Sequence, residues 1–211
     1  MQAATRADLD SQFPADWPEI EFLTIDAYEG LQRDSILGAP QDGKNYFTIS
    51  AGLLAPFSRG NVSLNSSDTA VNPIISPNWL EDPRDQEFAV QMYRRARQIA
   101  QAQALQPVLV GPEAFPGTNI TTDEQILDVI RASLSTIHHA SATCEYPGYI
   151  LLRDTPDCVI GAMGRIDDPM AVVDSHARVI GVQHLRVVDA SSFPFLPPGH
   201  PQATVCTYFR T

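Results

Sequence analysis

Leu185 to Val205 reads LRVVDASSFPFLPPGHPQATV. Leu185-Arg186-Val187-Val188 has the apolar, β-branched content of a buried strand, and Asp189-Ala190-Ser191-Ser192 supplies the small polar residues at which such a strand ends. Pro194, Pro197, Pro198, Gly199 and Pro201 then crowd into one loop. Each proline fixes its own φ and restricts the residue before it, so this loop has few backbone states and holds His200 in place.

Upstream, Ser135 to Cys144 (STIHHASATC) sets His138 and His139 among small and apolar residues with no carboxylate to pair with them. A helix leads into this stretch. Its start is marked at Thr121 or Thr122, where Glu124 or Gln125 completes a capping box, and Ile126, Val129, Ile130 and Leu134 recur at helical spacing. An earlier helix is predicted from Asp82, a capping residue, through Pro83 at the first helical position to about Ala104, with Ala89, Met92, Ala96 and Ile99 along one face. Before that the chain reads as β-rich: Glu19–Ile25, Asn45–Pro56 and Gly60–Leu64 have strand composition.

With 44% hydrophobic residues in 211, the chain can bury an ordinary core. Its 25 acidic against 14 basic residues, a formal charge of -11, repel phosphate backbones and anionic lipid, so neither nucleic acid nor a membrane surface is an expected partner. No apolar run approaches the length of a membrane span, and Met1–Asp10 lacks the apolar region of a signal peptide; the compartment is left open. Oligomeric state is not legible.

Cys144, Cys158 and Cys206 are too widely spaced for a Cys-x-x-Cys pair and read as buried thiols. Asn61-Val-Ser, Asn65-Ser-Ser and Asn119-Ile-Thr match the glycosylation pattern, one that arises often by chance in a Ser/Thr-rich chain. A zinc site from His138, His139, Cys144 and Cys158 has suitable residue types but no usual ligand spacing, and no metal is expected. No Gly-x-Ser-x-Gly elbow marks a serine hydrolase. His176 and His184, in polar turns, read as surface residues. Two constrained histidines remain as candidates for general-base work, one after a helix and one in the proline-rich loop.

The succession SRGNVSL, NPIISPNWLEDPRD, HHASATC and LRVVDASSFPFLPPGHPQATV resembles the C-terminal half of the glucose-methanol-choline (GMC) oxidoreductases, above all their fungal members. WPEIEFL and APQDGKNYFTISAGLLAP resemble the family's substrate-domain strands, so the likeness extends over nearly the whole chain. The resemblance implies an α+β fold, an antiparallel sheet flanked by helices, with a C-terminal segment returning to an FAD-binding domain most of which is missing. It implies FAD as cofactor and a small-molecule alcohol as substrate. By matching positions, it implies His139 and His200 as the catalytic pair, with Asp189 and Ala190 on the phosphate and ribityl side of the flavin and Pro201 and Gln202 beneath its ring. A carboxylate-free pair suits the chemistry: a neutral imidazole removes the alcohol proton, whereas a neighbouring carboxylate would oppose negative charge growing on the substrate oxygen. A strand-end turn is the alternative reading of Asp189.

The chain departs from the family pattern in three places. No Gly-x-Gly-x-x-Gly cradles the FAD pyrophosphate, which implies that the dinucleotide-binding half lies outside this sequence. Glu145–Gly161 intervene between the cysteine and Ala162-Met163-Gly164, an insertion expected to bulge as a poorly packed loop. The tail, Cys206–Thr211, breaks off where a closing helix belongs. The expected organisation is a lead-in segment over 1–44, a substrate-binding domain over 45–164 containing the 145–161 insertion, and 165–211 completing that domain and contacting FAD. A noncatalytic binding module or decayed paralogue with the same fold is the competing reading.

Overall fold

The computed structural model describes residues 1–31, 39–141, 163–168, 171–193 and 196–208. These form two compact units, Met1–Phe57 with Leu80–Thr136, and Ser58–Trp79 with Ile137–Thr211. The architecture is α+β: small antiparallel sheets flanked by helices. Among the described residues no helix is long and apolar enough to cross a membrane.

In the first unit, β1 (Ile20–Ile25) and β2 (Thr48–Leu53) pair antiparallel, from Ile20 opposite Leu53 to Ile25 opposite Thr48. Both strands fall inside their predicted runs. Leu9, Ala55, Phe57 and Phe88 make the core, with Phe13, Trp17, Ile20 and Leu53 packed around it. Leu9 comes from α1 (Ala3–Gln12), which the sequence pattern does not announce, because Thr5 and Leu9 alone are buried on it and no side chain caps its start.

Helix α2 (Pro83–Ala100) begins as its sequence requires, the Asp82 carboxylate accepting the Arg84 N–H at 2.8 Å with Pro83 in the first turn. It stops at Ala100, short of Ala104, because the chain tightens into i→i+3 turns: Ala102 N–H donates to Ile99 O and Leu105 N–H to Ala102 O. Asp85, 1% exposed, accepts the Phe57 N–H at 2.8 Å and so ties α2 to the end of the β2 segment. Arg84 lies 3.8 Å over the Phe57 ring and bridges Asp82 and Asp8. Helix α3 (Asp123–Ser133) packs on α2 and carries the expected capping box, Thr122 with Gln125.

The second unit contains the hairpin of β3 (Asn61–Ser63) and β4 (Ile74–Ser76), paired antiparallel. Isolated bridges link Met163 with Val173, Val173 with Val179, and Arg178 with Arg186, and a short 3-10 helix (Ala190–Ser192) and helix α4 (Gln202–Tyr208) come after them. The predicted strand Leu185–Val188 does not form as a buried strand. After the turn at His184, φ +63, the pairing is limited to Arg186 opposite Arg178, with Val179 N–H donating to Leu185 O and Val187 N–H to Ala177 O, and Leu185 is 50% exposed. The insertion at 145–161, with Cys144 and Cys158, lies outside the described residues. The tail is less divergent than expected, since α4 continues to Tyr208.

Candidate active site

The two histidines singled out in sequence meet in the second unit. The rings of His139 and His200 pack edge to face, 4.7 Å between centroids at an interplanar angle of 86°. His139 is half-buried, with its Nδ1 shielded from solvent, whereas His200 is exposed. The pair therefore has one sheltered side and one side open to a small molecule.

Local structure explains how each ring is held. After the last turn of α3, where Leu134 N–H donates to Ile130 O at 2.7 Å, the chain runs to His138 at φ +61 and then His139. A left-handed conformation in a residue with a Cβ costs roughly 1–2 kcal/mol. On the other side Gly199 takes φ +85, and a Cβ placed there would meet nothing within 4 Å, so conformation rather than crowding calls for glycine. Pro201, buried, offers its carbonyl to Val205 N–H at 2.8 Å and starts α4, so His200 sits between a left-handed glycine and a fixed helix start.

Asp189 caps the 3-10 helix: its Oδ1 accepts the Ser191 N–H at 2.8 Å and also the Ser191 hydroxyl. Its carbonyl accepts the Ser192 hydroxyl at 2.7 Å, and the Ser192 carbonyl accepts the Met163 N–H at 3.0 Å. Ala190 opens that 3-10 helix and Gln202 opens α4. Nearby, the Asp174 carboxylate accepts the N–H groups of His176 and Arg178 and pairs with the Arg178 guanidinium, which holds its carboxyl down at about 2.

Phe193, with Phe195 and Leu196, is expected from sequence to face water if nothing covers this surface. Instead Phe193 is 8% exposed and packs edge to face on Tyr208, 5.5 Å between centroids, while Leu196 is half-buried and Phe195 lies outside the described residues. Tyr208 Oη also lies 3.5 Å from the Val187 carbonyl, so one side chain of α4, after the His200 loop, is tied to two residues before it. Sequence reasoning missed this brace; the helical run Gln202–Tyr208 would have signalled it had the tail been read as helix. Among the described residues, no group of three or more His, Cys, Asp or Glu side chains could hold a metal ion.

The GMC oxidoreductase C-terminal family model matches residues 56–146 and 161–208. This chain belongs to the GMC oxidoreductase family. The match lapses over 147–160, inside the insertion inferred from the motif spacing, and it runs through Tyr208. Patulin synthase of Aspergillus clavatus is 53% identical over 195 residues, covering 92% of this chain and 28% of that protein. Versicolorin B synthase of Aspergillus parasiticus is 45% identical over 206 residues, covering 97% and 28%. An FAD-dependent oxidoreductase from Chaetomium thermophilum superposes with a TM-score of 0.60 at 30% identity, over 80% of this chain and 25% of that one. The chain thus spans 28–30% of the length of these curated relatives.

Of the residues expected to meet a flavin, His139 and His200 are in ring contact, while Ala190 opens the 3-10 helix before the His200 loop and Gln202 opens α4 after it. For the pyrophosphate the 211 residues contain no glycine fingerprint on a helix N-terminus.

Proposed function

We propose that this chain forms the substrate-binding side of an FAD-dependent oxidoreductase that oxidises a small-molecule alcohol. In this reading His139 removes the hydroxyl proton and His200 orients the oxygen. The observation that carries it is the ring pair, 4.7 Å apart and edge to face, in a chain of the GMC family.

With Nδ1 of His139 shut away from solvent, Nε2 is the nitrogen that meets the substrate hydroxyl. A neutral imidazole there accepts the proton as negative charge grows on oxygen. His200, on the exposed side, donates its ring N–H to that oxygen, a fixed dipole aimed where the charge develops. The T-shaped packing favours this mutual orientation of the rings by about 0.5–1.5 kcal/mol. Pro201 and Gln202, with Asp189 and Ala190 across the loop, would hold the flavin end of FAD, and the bound cofactor supplies the hydride acceptor. Residues beyond this sequence would supply the site for its ADP half.

The test uses a complete polypeptide carrying this sequence, loaded with FAD. His139→Ala and His200→Ala are each expected to slow flavin reduction by an alcohol roughly 10²-fold or more, the usual size of a general-base contribution. Reduction at the unaltered rate in both variants overturns the assignment and favours a noncatalytic module.

A further inference from the structure

We infer that His138 is a positioning residue for the His139–His200 pair, acting through its backbone and not its imidazole. Each ring of the pair is preceded in the chain by a left-handed residue: His138 at φ +61 before His139, and Gly199 at φ +85 before His200. A left-handed residue redirects the chain, so the next side chain leaves on a different heading than it would after an extended or right-handed one. Two such reversals, one on each segment, flank a single ring contact of 4.7 Å.

The two positions reach that conformation in different ways. Gly199 has no Cβ to oppose it, and the space around it is open, so glycine serves there by conformation alone. His138 carries a Cβ and adopts the same hand against its intrinsic preference, although histidine, with asparagine and aspartate, is among the side chains that tolerate it best. A residue persists in a sparsely populated conformation only where its surroundings over-determine it. The next residue, His139, supplies such surroundings: its ring is half-buried with Nδ1 shielded, and its edge-to-face partner is fixed between Gly199 and the buried Pro201. Asn78, Leu80, Ala177 and His184 are left-handed as well, yet none of them precedes a member of the pair.

Position 138 is therefore governed by φ tolerance. Glycine and asparagine should serve there, and a β-branched residue should not. The inference rests on the proposed function only for what the pair does; the placement of the rings can be measured without any reaction.

The experiment uses the full chain labelled with ¹³C-histidine and reads the nuclear Overhauser cross-peak between the ring protons of His139 and His200. It is expected in the wild-type chain, retained in His138→Gly and His138→Asn, and lost in His138→Val. The His176 and Arg178 amide shifts, which report the Asp174 turn, should stay in place in every variant. Loss of the cross-peak in His138→Gly would show that the imidazole, not the backbone, holds the pair, and would overturn the inference. Its retention in His138→Val, or its absence from the wild-type chain, overturns it equally. Should the valine variant fail to fold, the glycine and asparagine variants still decide between backbone and side chain. If the cross-peak behaves as expected while His139→Ala leaves flavin reduction in the complete polypeptide unchanged, the positioning role stands and the catalytic reading falls.

Discussion

Substitutions at Asp189 separate two tasks its carboxylate could perform, capping the 3-10 helix and contacting a cofactor. Oδ1 accepts the Ser191 N–H at 2.8 Å and the Ser191 hydroxyl, and the turn so formed presents the Ser192 carbonyl to Met163 N–H at 3.0 Å. Asp189→Ala removes the acceptor and leaves the Ser191 N–H to water. Loss of an N-cap costs about 0.5–2 kcal/mol. Asp189 is exposed and the turn is only Ala190–Ser192, so solvent recovers part of the loss and about 0.5–1 kcal/mol is the expected cost. In a chain of this size that lowers the melting temperature by roughly 1–4 °C. Asp189→Asn keeps an oxygen in the same place and removes only the charge; asparagine caps as well as aspartate, so the shift should stay within about 1 °C. Thermal unfolding of the purified chain, followed by intrinsic fluorescence, measures both. An alanine variant as stable as wild type, or an asparagine variant as unstable as alanine, refutes the capping role. Flavin retention in the complete polypeptide completes the separation: its loss in Asp189→Asn at unchanged stability assigns the charge to the cofactor.

Gly60→Ala should part the β3–β4 hairpin, because a Cβ there would stand 2.6 Å from the Ser76 carbonyl and 2.9 Å from that of Pro77, backbone atoms that cannot rotate aside. The expected cost is about 1–3 kcal/mol, read as loss of cross-strand contacts between Val62 and Ile75; their survival argues against it. Acid should loosen the Asp174 turn late. Its carboxyl lies at about 2 when folded against 3.8 when unperturbed, so its contribution is present above about pH 4 and is lost as pH falls through 2. Amide shifts of His176 and Arg178 that titrate near pH 4 instead contradict the pairing with Arg178. FAD titrated into the purified chain should not bind stoichiometrically, because the 211 residues contain no Gly-x-Gly-x-x-Gly fingerprint for the pyrophosphate and the formal charge is -11. A dissociation constant in the low micromolar range, about -8 kcal/mol, measured by flavin fluorescence, refutes this.

Where the sequence could be read, the controlling interaction was local. Asp82 with Pro83 and Thr122 with Gln125 lie within one helical turn of the backbone groups they satisfy, so their residue types alone placed the starts of α2 and α3. β1 and β2 were visible as apolar runs, but not their register. The strand expected over Leu185–Val188 is reduced to one bridge, Arg186 with Arg178, because apolar composition does not say how much pairing or cover a segment finds; nor does it show that His184, just before, is left-handed. The same blindness hid His138. A glycine at a left-handed position, such as Gly199, can be guessed, whereas a non-glycine one is set by contacts made elsewhere in the unit.

The pairing of His139 with His200 was of the same non-local kind. Periodicity put His139 after a helix and the prolines put His200 in a restricted loop, and only the resemblance to a family put the two in one site. What the structure adds is the means by which separate segments are aimed: a strained residue on one side, a permissive glycine on the other, and a cap at Asp189 and a brace at Tyr208 that hold the loop between them. These supports act on the backbone around the two rings: the Asp189 carboxylate on Ser191, the Tyr208 ring on Phe193. Substitutions that break these supports, His138→Val, Asp189→Ala and Tyr208→Ala, should move the geometry of the pair while leaving both imidazoles present, which distinguishes a loss of aim from a loss of the base itself.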